Sequence, residues 1–474
     1  MVHLGRNMKI LCLLTAALGG CASYAPKPLS PQASAASFES RSLGDPGLKN
    51  YVETHLHRAL PAGPSHSWNL TTLTLAAFYF NPELDVARAQ WDLAKAKTVT
   101  AGAIPNPTFG FSPLYNADAG SGLSPWTLGV VLGIPIETAG KRGYRVSGAE
   151  HLSEAARLDI ATAAWRVRSG LRAALVNLYA AREREQLLAS QQEVQARTVK
   201  ALGSRLRAGE ASQPEVTLAR LALDKTRLAA EEAGRRRAEA QVGLAQALGL
   251  PSAAVQDKAL SFDDFQKPLP KLPAPDIRQQ ALRNRPDILA ALARYAASQS
   301  ALQLEIARQY PDLSIGPGYT WDQGARKWSL GVSLTLPVFN QNQGPIAEAE
   351  AGRKVAAARF TALQAQVVGE IDRNYTGFTK ASDKLEVANR LLAGARRQLE
   401  SARARFASGE TDRLALLGAE QELTASRLAR LDTLTQAQQA LGSLEDAVQL
   451  PLDAAETLPG QFTERFGQDQ EIVQ

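Results

Sequence analysis

The stretch Trp126–Pro135, WTLGVVLGIP, constrains this chain more than any other. Every second residue (Trp126, Leu128, Val130, Leu132, Ile134) is large and apolar, while Thr127, Gly129, Val131 and Gly133 between them are mostly small. Side chains on a strand alternate between faces, so this is a two-faced strand. The pattern returns at Trp328–Pro337, with Trp328, Leu330, Val332, Leu334 and Leu336 on one face and Ser329, Gly331, Ser333 and Thr335 on the other. Each copy spans about ten residues, the length of a strand crossing a bilayer at a tilt. Apolar on one face, small and polar on the other, with Trp at one end, is the signature of an outer-membrane barrel strand, though a soluble sandwich strand also alternates.

Each strand has a partner just upstream, Thr108–Tyr115 and Asp312–Trp321, joined to it by the polar loops Asn116–Pro125 and Asp322–Lys327. Two hairpins supply four strands, and about eight is the smallest closed barrel. An open edge in lipid would leave backbone groups unsatisfied, so membrane strands of this kind require several chains in one barrel.

The remainder reads as helix. Residues 1–20 form an export leader: Arg6 and Lys9, then the apolar run Ile10–Leu18, then Gly19, Gly20 and Cys21. The run is too short to span a bilayer as a helix. Residues 21–67, rich in Pro, Ser, Ala and Gly, are expected to be an extended tail. A first repeat covers 68–250, with its hairpin at 108–135 and a very long helix over Tyr144–Arg207, a break at Ala208–Gln213, and a second helix over Pro214–Gly249. Residues 251–275 read as a Pro-rich linker. The pattern restarts over 276–451, with its hairpin at 312–337, and residues 452–474 form a polar tail. Arg205-Leu206-Arg207-Ala208-Gly209-Glu210 is echoed by Arg405-Phe406-Ala407-Ser408-Gly409-Glu410, and Leu250-Pro251 by Leu450-Pro451. A period that long marks one duplicated unit, not a solenoid.

Composition excludes much chemistry. The 53 basic and 47 acidic residues give a net charge of +6, and loss of Arg6 and Lys9 with the leader leaves +4, too little to argue for nucleic acid. Cys12 lies in the leader, so the mature chain keeps one Cys and no intrachain disulfide. Gly140-Lys141-Arg142 lacks the Ser or Thr of a P-loop, and no HExxH or GxSxG occurs. His55 and His57 have no carboxylate or thiol pattern around them, and two Met are too few for a soft-metal path. The sequence predicts no enzyme, no cofactor and no metal centre.

A leader ending in Leu18-Gly19-Gly20-Cys21, two copies of helix–hairpin–long helix–helix, and the paired Gly breaks together resemble the TolC family of outer-membrane efflux channels over about Trp68–Pro451. Ile134–Gly143 looks like the strand-to-helix junction of the heavy-metal (cobalt–zinc–cadmium type) branch of RND efflux systems, and Leu336–Gly344 like the second junction. The resemblance implies an α+β membrane protein: a long α-helical coiled-coil barrel and a transmembrane β-barrel of four strands per chain, twelve in a homotrimer. It implies an exit duct in the outer membrane of a Gram-negative bacterium, docked to a periplasmic adaptor and an inner-membrane RND pump. It also implies lipid on Cys21, adaptor contact at Arg205, Leu206, Gly209, Arg405, Phe406 and Gly409, and a gate at Glu215, whose second-repeat counterpart is Ala415. Three converging Glu215 side chains would raise one another's pKa and favour cations. The same channel type serving protein secretion, or a periplasmic coiled-coil scaffold, are the alternative readings.

Overall fold

The computed structural model describes residues 24–59, 67–270 and 274–452, which fall into two units divided after Arg41. In the first unit, α1 (Pro31–Glu39) is capped by Ser30, whose hydroxyl accepts from Ala33 N–H. Everything below concerns the second.

The stretch expected to be an extended tail contains a packed helix, α2 (Pro46–Leu56). Asp45 caps it by accepting from the amides of Gly47 and Leu48, and Pro46 sits in the first turn, where its missing N–H costs nothing. Leu48 and Val52, four apart, bury completely. Two core residues are too few to show a period in the sequence. Next come α3 (Leu70–Phe80) and α4 (Pro82–Gly102), separated by Asn81, which ends one helix and caps the other.

The hairpin strands follow as β1 (Thr108–Tyr115) and β2 (Trp126–Ile136), then the helices α5 (Lys141–Arg207) and α6 (Gln213–Leu248). At ~1.5 Å per residue, α5 is on the order of 100 Å long. The expected linker is instead fastened to the core. Trp68 N–H donates to Ala259 O and Ser261 N–H to Trp68 O, at 2.9 and 3.0 Å, and Val255 and Phe265 are buried. Its aromatic rings Phe262 and Phe265 lie against Tyr179 of α5, which no local periodicity could reveal.

The second repeat gives α7 (Ala274–Asn284), α8 (Pro286–Ala307), β3 (Leu313–Asp322), β4 (Ala325–Leu334), α9 (Gln343–Ala407) and α10 (Arg413–Val448). Strand β4 begins and ends three residues earlier than the alternation predicts. The loop expected over Asp322–Lys327 is a two-residue turn, Gln323-Gly324, with both residues at positive φ, the backbone that suits a tight hairpin. Arg326 and Lys327 therefore belong to the strand.

The four strands form one antiparallel sheet in the order β1-β2-β3-β4, so the two repeats are joined through β2 and β3. The helices near the sheet pack in the order α4, α5, α8, α9. Farther along they pack in the order α6, α5, α10, α9. In both places a first-repeat helix and α9 are the edges of the layer. The main hydrophobic core, with Leu73, Leu84, Leu171, Leu175, Leu244, Leu248 and Leu434, lies where these two groups of helices meet.

Candidate functional site

The register fixes the two faces of the sheet. Trp126 pairs with Tyr115, Leu128 with Pro113, Val130 with Phe111 and Leu132 with Phe109; Val130 also faces Tyr319, and Ile134 faces Ile315. On β4, Trp328 pairs with Tyr319, Leu330 with Pro317, Val332 with Ile315 and Leu334 with Leu313. Residues directly opposite share a face, so these apolar side chains form one continuous surface. Most of it is bare: Trp328, Leu330 and Val332 are 83%, 71% and 62% exposed. Aromatic pairs, Tyr115 with Trp126 and Tyr319 with Trp328, crowd its hairpin-turn end with ring centroids 5.1 and 4.9 Å apart. The opposite face carries Thr108, Gly129, Ser314, Ser329, Gly331 and Ser333, with Leu114 and Val131 as its large apolar members.

Leu336 is a correction. It was expected in the lipid-facing row, but β4 ends at Leu334, because the pairing with β3 runs out at Leu313. A strand persists only where it has a partner to bond. Outer edges β1 and β4 have no strand partner among the described residues.

At the base of the sheet the two repeats are strapped together. Lys141, nearly buried at the start of α5, donates from Nζ to Tyr310 O and to Asp312 Oδ1, at 2.6 and 2.7 Å. Thr138 donates its amide to Asp312 Oδ1 and its hydroxyl to Pro311 O. Arg145 pairs with Glu137 and also donates from Nε to Ala101 O. The Glu-Thr-Ala-Gly-Lys-Arg run that stood out in the sequence is thus a junction between a sheet and three helix ends.

At the far end lie the two breaks. Gly209 N–H donates to Leu206 O and Glu210 N–H to Arg205 O; Gly409 N–H donates to Phe406 O and Glu410 N–H to Arg405 O. This is the Schellman arrangement, and it needs a left-handed residue, supplied by Gly209 and Gly409 at φ 79° and 77°. Of the six residues singled out at the tips, Arg205, Leu206, Arg405 and Phe406 accept the closing bonds through their carbonyls. Phe406 is exposed, and the structure brings Arg205 to Asp412 of the other tip at 2.8 Å.

Glu215 sits one turn into α6, where its carboxylate accepts from Ser212 N–H and Ser212 Oγ–H at 2.6 and 2.8 Å. Within one chain these hydrogen bonds hold it below the ordinary Glu range. In the second repeat the cap is Asp412, which accepts from Ala415 N–H. Ser212 and Asp412 are equivalent positions, so the carboxylate sits at the third helical residue in the first repeat and at the cap in the second.

Sequence reasoning missed Asp412, and with it the seam between α5 and α10. Arg168, Arg184 and Arg197 on α5 meet Glu445, Asp432 and Glu420 on α10, and Arg205 meets the cap of α10, Asp412. The first rung is buried: Arg168 bonds Glu445 at 3.1 Å, and Arg172 reaches both Glu445 and Gln438. The rungs become exposed toward the tips. Only a comparison of α5 with α10, some 240 residues apart, could have found them.

Among the described residues no group of three His, Cys, Asp or Glu could hold a metal. His55 bonds Tyr51 O, and His57 is the left-handed cap of α2. Cys21 lies outside the described residues. No described helix is long and apolar enough to cross a membrane.

The comparisons agree with this geometry. The family model "Outer membrane efflux protein" matches residues 77–250 and 277–448, the two repeats. The chain is 27% identical over 369 residues to the cobalt-zinc-cadmium resistance protein CzcC of Cupriavidus metallidurans, covering 77% of this chain and 86% of that one. It is 26% identical over 230 residues to the cation efflux system protein CusC of Escherichia coli K12, covering 45% and 50%. Among solved structures, the outer-membrane channel OprN superposes with a TM-score of 0.65 at 19% identity, over 93% of this chain and all of that one.

Proposed function

The chain belongs to the outer membrane efflux protein family and is an outer-membrane efflux channel, not an enzyme; from that footing we propose that it works as a homotrimer. Three four-stranded sheets close one twelve-stranded barrel, and the helical layers continue it as a tunnel through the periplasm. The observation that carries this reading is the sheet itself: an exposed apolar face bounded by two unpaired edges, which lipid does not tolerate and three copies abolish. The edges of the helical layer agree with it, since α6 exposes Leu218, Leu221 and Leu228 while α9 exposes Val387 and Leu391.

The duct is passive. On the water-facing side of the sheet the only charged residues are Asp322 and Lys327, and they neutralise each other at 2.6 Å. Selection therefore falls to an inner-membrane pump of the RND type, reached through a periplasmic adaptor that meets the tips at Arg205, Leu206, Gly209, Arg405, Phe406 and Gly409. The likeness to CzcC, over 77% of this chain and 86% of that one, supports divalent heavy-metal cations as cargo. Cys21 carries the lipid anchor.

Deletion of the gene is expected to sensitise cells to cobalt, zinc or cadmium, and the chain supplied in trans to restore resistance. Gly209→Trp with Gly409→Trp should remove resistance while leaving heat-modifiable trimers on gels. Unchanged metal tolerance in the deletion strain overturns the cargo; full resistance in the double tip variant overturns the tip contact. Cys21→Ala should abolish incorporation of labelled palmitate, and equal labelling would refute the anchor.

A further inference from the structure

The two repeats end their second strands differently, and the difference identifies where a neighbouring copy binds. In the first repeat, β2 outruns its pairing with β1, which stops at Gly133. Its last residues, Ile134, Pro135 and Ile136, are held by β3 alone, opposite Ile315, Ser314 and Leu313. In the second repeat the equivalent residues are Leu336, Pro337 and Val338. The equivalence is anchored by Pro135 with Pro337, and by Gly140 with Asn342, both left-handed helix caps at φ 71° and 65°. Here no strand holds them. Val338 N–H folds back onto Leu336 O at 2.9 Å around Pro337, and Leu336, Val338 and Phe339 stand 68%, 69% and 102% exposed.

The part played by β3 in the first repeat falls, at the free edge of β4, to β1 of another copy. Since Pro311 corresponds to Pro107, the counterparts of Ile315 and Leu313 are Phe111 and Phe109. We propose that residues 335–338 extend β4 in the assembled ring, with Leu336 opposite Phe111 and Val338 opposite Phe109 of the adjacent copy. This rests on the ring reading above and adds its register. The small turn at Pro337 opens, and apolar residues left bare in a lone chain gain aromatic cross-strand neighbours. Asn340, in the place of Thr138, then meets the Pro107–Thr108 segment of that copy, as Thr138 meets Pro311 and Asp312 within one chain.

Cysteine pairs test the register, since both native cysteines, Cys12 and Cys21, precede the described residues. Leu336→Cys with Phe111→Cys, and Val338→Cys with Phe109→Cys, should form covalent dimers and trimers in outer membranes under mild oxidation or with a short bifunctional thiol reagent. Yield should exceed that of Val338→Cys with Pro113→Cys by roughly tenfold, because directly opposite residues lie within about 5.5 Å and this control pair lies well beyond diagonal reach. Single-cysteine variants should give none. If the folded protein is a heat-modifiable trimer but the control pair links as well as the proposed pairs, the register is overturned and the ring stands. If no oligomer forms even in the unmodified chain, ring and register both fall.

Discussion

Arg205 Nη2 lies 2.8 Å from Asp412 Oδ2, so the tip of the first repeat is tied to the tip of the second. Asp412 also accepts from Ala415 N–H as the cap of α10. Both members of the ion pair are part-exposed, and a pair of that kind contributes no more than about 1 kcal/mol. Such a tie can hold a mouth closed and yet release without large cost. Arg205→Ala is expected to raise single-channel conductance in planar bilayers and to leave thermal stability nearly unchanged. Asp412→Ala should do the same with a loss of ~1 kcal/mol from the missing cap. Hydrogen bonds from Ala415 and Arg205 hold Asp412 below its ordinary value of 3.8. A depressed carboxylate stabilises above its unfolded value and stops doing so as pH falls through the folded one. Conductance should therefore stay flat from neutral pH to about 4 and rise only below that range.

Glu215 separates charge from capping. Its carboxylate closes a capping box with Ser212, a role that Gln fills nearly as well. Glu215→Gln should therefore keep α6 intact while removing one charge per chain at the mouth. If Glu215 sets ion preference, reversal potentials in a salt gradient should shift toward lower cation selectivity. An unchanged reversal potential would leave Glu215 as a helix cap only. Within one chain the Ser212 bonds keep it ionised well below neutral pH, so its effect should persist across the periplasmic range.

How much of this was legible in the sequence depended on where the determining partner lies. Strand β1 has the bounds that alternation predicts, and α5 and α6 differ from the expected helices by a few residues, because their signals are local: dyad alternation, helical period, Gly at the break. The fold class stood out for the same reason, through the repeat. Leu336 lies past the end of β4 in a single chain because that end is set by a partner strand, not by the strand's own pattern. Phe265 looked like linker because its contacts, the Tyr179 ring on α5 and the Gln438 amide on α10, lie far away in sequence. Asp412 was passed over because its importance depends on Arg205, two hundred residues earlier.

Glu445 should be the costliest polar residue to remove. It is 1% exposed and bonded to Arg168, with Arg172 beside it and Leu452 N–H on its other oxygen. Glu445→Ala leaves two guanidinium groups in the interior facing no carboxylate at that position, and breaking such a buried pair costs on the order of 3–5 kcal/mol. Arg172 retains the carbonyl and side chain of Gln438, at 2.7 and 2.9 Å. Thermal unfolding in detergent should show a marked drop for Glu445→Ala. The double change Arg168→Met with Glu445→Leu should recover most of it, since matched apolar groups can replace a buried ion pair. A double variant no better than the single one would mean that the pair is not energetically coupled.

The sharpest check on the orientation of the sheet uses two adjacent residues of β4. Val332 lies opposite Ile315 on the apolar face, and Ser333 opposite Ser314 on the other. An Arg on the lipid face costs ~2–4 kcal/mol near the midplane, whereas one in the lumen is solvated. Val332→Arg should therefore lower the fraction of heat-modifiable trimer in outer membranes sharply. Ser333→Arg should insert normally; the adjoining Gly331 meets only Gly316 O, 3.6 Å from where its Cβ would lie, so the face has room. Three added positive charges in the lumen should lower cation conductance in the assembled channel. Equal loss of folding at both positions would mean that neither face is in water, and opposite results would mean that the barrel is turned inside out.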